Sequence, residues 1–293
     1  MDKDELRARA IRLYDRFTHE THDRRAFVAE LTALAGGAAA ANALLLGIAA
    51  DPAAATIVAA DDPRLATGMR SWTSAPGRTI NGYWARPQAA RGPLPAVLVI
   101  HENRGLNAHI RDVARRIALE GFNAFAPDFL SPAGGTPADE DRAREMIGAL
   151  DLTATTADAV SAVRYLTGVR GSTGKVGAVG FCWGGALTNR LAVAAGPALE
   201  AAIPYYGPAP DPSEARRVKA AMLLHYAGLD ARVNATGRPW VAALQAAHVP
   251  VQAFFYDDAN HAFNNDTAAD RYNAAAAHLA WSRTIAFLHQ HLA

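Results

Sequence analysis

Lys175-Val176-Gly177-Ala178-Val179-Gly180-Phe181-Cys182-Trp183-Gly184-Gly185 is the stretch that decides the fold. Lys175 to Val179 reads as a short buried strand, and Gly184 to Ala195, rich in Ala and Leu, reads as a helix. Between them stands G-x-C-x-G, the cysteine form of the nucleophile elbow, in which the chain turns sharply from strand into helix. Glycines keep side chains out of the crowded bend, and the thiol is presented near the positive end of a helix, which favours a thiolate. The competing reading is a small buried cysteine at a glycine-rich packing turn.

A nucleophile needs a base, and the base needs an orienting group. On α/β-hydrolase sheets the chain order is nucleophile, acid, histidine. Ala221 to Tyr226 is an apolar strand from whose C-terminal end Asp230 departs, and Val251 to Tyr256 is the next strand, followed by His261. Asp230 and His261 thus fall at equivalent strand ends beside the elbow. The other histidines fit less well: His278, His289 and His291 lie in the last helical run, His225 within a strand, His248 at a helix end, and His19, His22 and His109 in helical stretches. His101 ends a strand and is the one rival, but it precedes the nucleophile. The expected chemistry is a Cys182-His261-Asp230 triad acting through a thioacyl-enzyme. The oxyanion is then held by the backbone N–H of Trp183 and one from the loop after His101, with Asn103 the choice.

Gly180 to Gly185, Asp230 and His261, at these separations, resemble the dienelactone hydrolase (carboxymethylenebutenolidase) family. Val97 to Asn107, with Glu102, and Ala126-Pro127-Asp128 extend the likeness, which runs from about Gly68 to the C-terminus. The resemblance implies an α/β-hydrolase fold, hydrolysis of a small ester or lactone, and no cofactor. It also implies that Glu102 modulates the thiol, being displaced when substrate binds; the plainer alternative pairs Glu102 with Arg104 as a loop ion pair. Family members that take dienelactone bind its carboxylate with arginines. Arg142, ahead of Arg144, is the candidate for the first, the alternative being a solvated helix face with intrahelical charge pairs. The second falls at Asn265, which lacks the charge and the planar fork. Arg104 and Tyr206 are further candidates for substrate contact, with Tyr205 beside them, although aromatic side chains at a strand end are by default core.

Composition agrees with a globular enzyme: 51% hydrophobic, 19% charged, net charge +1 and one cysteine. That balance gives no reason to expect nucleic acid, and a lone cysteine excludes an internal disulfide. There is no repeat, glycine-rich phosphate loop, dinucleotide fingerprint or zinc spacing. Strands at Thr79–Arg86 (an early edge strand), Ala96–His101, Asn123–Pro127 and Ala201–Tyr206 alternate with helices at 107–120, 139–150 and 154–166. Two more helices fall at 234–247, capped by Asn234, and at 267–292. The pattern predicts a mostly parallel central sheet flanked by helices over residues 61–293, with a helical extension over 1–60. With no segment after Pro95 long enough to form a lid, the active site is expected to be open.

Residues 1–60 carry two readings. Asp23-Arg24-Arg25-Ala26-Phe27-Val28, the uncharged Leu31–Ala50 and Ala53-Ala54-Ala55 resemble a twin-arginine export signal with its cleavage site, which would make the protein periplasmic. The mixed pattern of Glu5 to Phe17, and Glu30 where a signal favours a neutral or basic residue, favour a retained extension and a cytoplasmic protein. Gly36-Gly37 and Asn42 argue against a stable membrane span, and the apolar hairpin suggests a homodimer. Two other functions compete: a thioesterase or small-amide hydrolase using the same triad, and a redox-sensing protein using Cys182 alone.

Overall fold

Apolar runs without alternation can only be satisfied in the middle of a sheet covered on both faces, and that is where the chain puts them. The computed structural model describes residues 2–19, 23–49 and 56–293. Three helices open the chain: α1 (Lys3–His19), α2 (Arg24–Ala35) and α3 (Ala38–Ile48). The sheet-bearing part then runs β1 (Leu65–Ala75), β2 (Arg78–Pro87), β3 (Leu94–Ile100), α4 (Ala108–Leu119) and β4 (Asn123–Asp128). It continues with α5 (Glu140–Gly148), α6 (Leu152–Gly168), β5 (Ser172–Phe181), α7 (Trp183–Ala194), β6 (Ala201–Tyr205) and β7 (Ala221–Ala227). It ends with α8 (Ala231–Ala246), β8 (Val251–Tyr256) and α9 (Ala274–Leu292).

The eight strands form one sheet in the order β1-β2-β4-β3-β5-β6-β7-β8. Only the β1/β2 and β2/β4 pairs are antiparallel. From β3 the chain steps outward to β4 and then returns to the other side for β5, so a crevice opens at the C-terminal ends of β3 and β5. That is the usual place for a ligand on an open α/β sheet. The fold is therefore the expected α/β-hydrolase sheet with a helical N-terminal region.

Several expectations shift in detail. Thr79–Arg86 belongs to β2, which is paired on both sides; the edge strand is β1, whose sequence carries no clean alternation. The helix expected from Asn234 begins at Ala231 and is capped by Asp230, while Asn234 sits one turn inside and donates to the carbonyl of Ala227. Residues 267–273 form turns, and the last helix starts only after its cap, Asn273.

The extension has its own small core, built from Ala10, Ile11, Tyr14, Phe17, Phe27, Leu31 and Ile48, with the Phe17 and Phe27 rings stacked 4.4 Å apart. Much of the apolar surface that suggested a second subunit is thus used within the chain, although Val28 and Leu46 stay exposed. Arg24 and Arg25 begin α2, with Asp23 as the cap. The candidate cleavage residues Ala53–Ala55 lie outside the described residues, as do His22 and the side chain of His19. Among the described residues no single helix is long and apolar enough to cross a membrane; α2 and α3 qualify only together, and they meet at a bend of 109°.

At the elbow a Cβ on Gly184 would collide with the carbonyl oxygens of Ile100 and His101, whereas one on Gly68 in β1 would meet nothing within 4 Å. Gly184→Ala is therefore expected to lower stability by about 1–3 kcal/mol in urea unfolding, with Gly68→Ala close to neutral. Equal effects would mean that the elbow is less tightly packed than its geometry implies.

Candidate active site

Three loops leave the C-terminal ends of β5, β7 and β8 and meet over the crevice. Cys182 holds φ +56° and ψ −113°, a strained conformation for a residue with a side chain. Backbone bonds fix it there: its N–H donates to the Tyr205 carbonyl, and its carbonyl accepts from Ala186, each at 3.0 Å. Trp183 follows as the first residue of α7, where an N–H has no acceptor within the helix. Asp230 is anchored as the cap of α8, its Oδ1 accepting from the Val233 N–H at 3.1 Å. Its Oδ2 is thereby aimed at His261, whose Nδ1–H donates to it at 2.6 Å.

Cys182 is 5% and His261 2% exposed, so charge here is poorly hydrated and has to be paired. Burial pushes the Asp230 carboxyl up, but the hydrogen bond and charge of His261 outweigh it and hold the group below its ordinary range. Burial likewise opposes a charged His261. The Cys182 sulfur, with hydrogen bonds to Asp230 and to Cys182, overcomes this and pushes the imidazole up to about 10. The arrangement favours a protonated imidazole beside the Cys182 sulfur. Linkage gives the sign: the stability from His261 is full below its ordinary 6.5 and is lost as pH rises toward about 10. That from Asp230 is present above its ordinary 3.8 and is lost as pH falls.

Glu102 stands beside this pair but is not paired with Arg104. Its Oε2 accepts from Asn265 Nδ2 at 2.8 Å and its Oε1 from the Tyr206 hydroxyl at 3.4 Å. Asn265 and Tyr206, expected to touch substrate, are thus committed to Glu102. Asn265 is further fixed by Thr267, whose N–H and hydroxyl both donate to its Oδ1. Arg104 turns the other way, donating to the Tyr14 hydroxyl at 2.8 Å and to Asp141 at 3.4 Å. Arg142 is exposed and pairs with Glu145 on its own helix, which fits the solvated face rather than a substrate contact. Arg144 instead points inward, stacking on Phe17 at 4.1 Å and donating to the Phe17 carbonyl.

The rival His101 is fully buried, its Nδ1–H donating to the Glu102 carbonyl at 2.7 Å and its ring stacked under Trp183. Burial lowers its pKa. His225 is a core residue bonded to Tyr256 and Thr284, and burial pushes it down to about 3. Tyr205 is likewise core, its hydroxyl on Thr284. Among the described residues no group of three or more His, Cys, Asp or Glu side chains could hold a metal ion.

Helix α1 borders the site through Tyr14 and Thr18, a cover that the expectation of an open site did not include. Two cavities flank the thiol. One, about 20 Å³, is lined by Tyr14, Glu102, Arg104, His261, Asn265 and Arg271 among others. The second, about 240 Å³, is lined by Asn103, Arg144, Ile147, Trp183, Pro208 and Arg232 among others. Thr18, Asn103 and Cys182 border both. Sequence reasoning missed Tyr14, Thr18, Arg232 and Arg271. Arg232 lies two residues after Asp230 and could have been read from that neighbour, whereas nothing local marks Tyr14, Thr18 or Arg271.

Residues 80–292 match the model of the dienelactone hydrolase family. A protein of Escherichia coli O157:H7, provisionally named a carboxymethylenebutenolidase, is 34% identical over 258 residues, covering 83% of this chain and 94% of that protein. The carboxymethylenebutenolidase of Pseudomonas putida is 33% identical over 221 residues, or 72% of this chain and 92% of its own length. The crystal structure of a protein from Klebsiella pneumoniae, provisionally named a dienelactone hydrolase, superposes with a TM-score of 0.70 at 30% identity. It covers 77% of this chain and 99% of that one.

The chain has one cysteine, so its alkylation reports on a single site. Iodoacetamide should react with Cys182 at pH 7, and His261→Ala, which removes the imidazole held against the sulfur, should slow it about tenfold or more. An unchanged rate at pH 7, followed by mass spectrometry, would show that His261 does not activate the thiol.

Proposed function

Because the chain belongs to the dienelactone hydrolase family, we propose that this ester or lactone hydrolase works through Cys182, His261 and Asp230 and a thioacyl-enzyme. The observation that carries the reading is the buried Asp230–His261 hydrogen bond with Cys182 held against the same imidazole at a strained elbow. The Cys182 thiolate adds to the carbonyl carbon of the substrate. The resulting oxyanion lies between the Trp183 and Asn103 backbone N–H groups, donors fixed before reaction and so costing no reorganisation. Collapse breaks the carbon–oxygen bond, and His261 protonates the departing alkoxide. His261 then takes a proton from water, whose oxygen attacks the thioester; the acid leaves and the thiolate is restored. Asp230 holds the imidazole tautomer throughout.

The larger cavity supports a substrate of modest size. At about 240 Å³ it falls below the usual range for drug-sized ligands, about 300–1,000 Å³. Arg144 and Arg232 are its only charged lining residues, which favours an acyl part bearing a negative group. Glu102, fixed by Asn265 and Tyr206, keeps a carboxylate beside the thiol; its displacement by substrate would remove a like charge and favour the thiolate.

Hydrolysis of p-nitrophenyl acetate and a lactone panel tests the reading. Cys182→Ala should lose about 10⁴-fold or more in kcat/KM. Arg232→Gln should raise KM for a carboxylated lactone while leaving a neutral one nearly unchanged. Equal activity in wild type and Cys182→Ala would remove the thiol from the mechanism.

A further inference from the structure

The family match begins at residue 80, yet α1, far upstream of it, forms one wall of the catalytic cavity. Tyr14 is almost fully buried, and its hydroxyl accepts from Arg104 at 2.8 Å. The Arg271 guanidinium lies over its ring at 5.0 Å. Arg271 itself is held by the extension, donating to the Ile48 carbonyl at 2.9 Å. The Thr18 carbonyl accepts from Asn103 Nδ2 at 3.3 Å, and Arg144 is clamped by Phe17. The loop after β3, helix α5 and the loop after β8 are therefore each tied to the last two turns of α1.

These contacts divide the space around Cys182 unequally. On the side of Tyr14 and Glu102 about 20 Å³ remains, room for one water molecule. On the other side about 240 Å³ remains. We propose that Tyr14, with Thr18, is the specificity-determining wall of this site. It reduces the Glu102 side of the thiol to the volume of a water, so that only the cavity under Trp183 and Ile147 admits an acyl group. The enzyme then takes short or compact acyl groups and excludes those that branch toward Glu102. The substrate consequence rests on the catalytic reading above; the wall itself does not, because it also governs how bulky an electrophile can reach the sulfur.

The test uses the full chain and two readouts. Cys182 is alkylated with iodoacetamide and with N-phenylmaleimide, and the ratio of rates is compared across variants. p-Nitrophenyl acetate, butyrate and isovalerate are then hydrolysed by the same proteins. Tyr14→Ala should raise the maleimide-to-iodoacetamide ratio, and the isovalerate-to-acetate ratio of kcat/KM, by about tenfold or more, the scale of a few methylene groups in a pocket. Tyr14→Phe keeps the ring and should leave both ratios within about twofold. Thr18→Ala, a smaller change less harmful to folding, should move both ratios in the same direction as Tyr14→Ala. Leu31→Ala loosens the extension core without touching the cavity and should leave the ratios alone. Unchanged ratios in folded Tyr14→Ala or Thr18→Ala, or the same gain in Leu31→Ala, would overturn the wall. Absence of ester hydrolysis in wild type with the alkylation ratios shifting as expected would sink the catalytic reading and leave the wall standing.

Discussion

Everything at this site depends on a charge pair kept out of water. A buried imidazolium and carboxylate cost several kcal/mol apiece to desolvate unless they answer one another with good geometry and further hydrogen bonds. Asp230 meets His261 at 2.6 Å, and it can do so because it is already immobilised as a helix cap. Its two oxygens have separate duties, one to the Val233 N–H and one to His261. A carboxylate fixed by a helix end is held in place against the imidazole. The local rule for starting a helix and the orientation of the buried His261 are met by the same side chain.

The second constraint is steric and sits on the backbone. Cys182, Tyr206 and Ala262 all adopt positive φ without being glycine, and all three lie within the crevice or beside it. Such residues persist only where the surroundings over-determine them. At Cys182 the close approach of β3 to the first turn of α7, which Gly184 permits, holds the bend. At Tyr206 the N–H is taken by the His225 carbonyl at 2.7 Å. Strain here aims the thiol, and the packed core below is what withstands it.

Those parts were legible in the sequence because each has a short-range signature. The elbow is written as glycines around a cysteine, the buried strands as unbroken apolar runs, Asp230 as the first polar residue beyond β7 and His261 as the first histidine beyond β8. Glu102, Asn103 and Trp183 follow from neighbours in the chain. What sequence could not supply was direction across the chain. Whether Glu102 pairs with Arg104 or with Asn265 depends on a contact 163 residues long in the chain. Arg142 and Arg144 differ by two places on one helix, and only the position of Phe17 decides which faces the cavity. Strand β1 escaped notice because its side chains are mostly half-buried or exposed, so no alternation marks it.

The same distance in the chain hides the part that α1 takes in the site. A lid is usually sought as an insertion between strands, yet here the cover comes from the N-terminus. Its cost is modest because it brings most of its own core: Phe17 and Phe27 stack on each other whether or not the catalytic half is beneath them. What the extension takes from the catalytic half is chiefly polar. Arg104, Arg144 and Arg271 carry positive charge into a half-buried seam, and the extension answers with carbonyl oxygens, the Tyr14 hydroxyl, the Phe17 ring and, near Arg271, Asp15. Guanidinium groups suit such a seam, since their flat faces stack on rings while their edges reach oxygens. Covering the thiol and satisfying those arginines are therefore one event: a displacement of α1 would also strip partners from the buried Arg104 and Arg271 and the half-buried Arg144. The position of α1 is accordingly favoured by electrostatics as well as by packing.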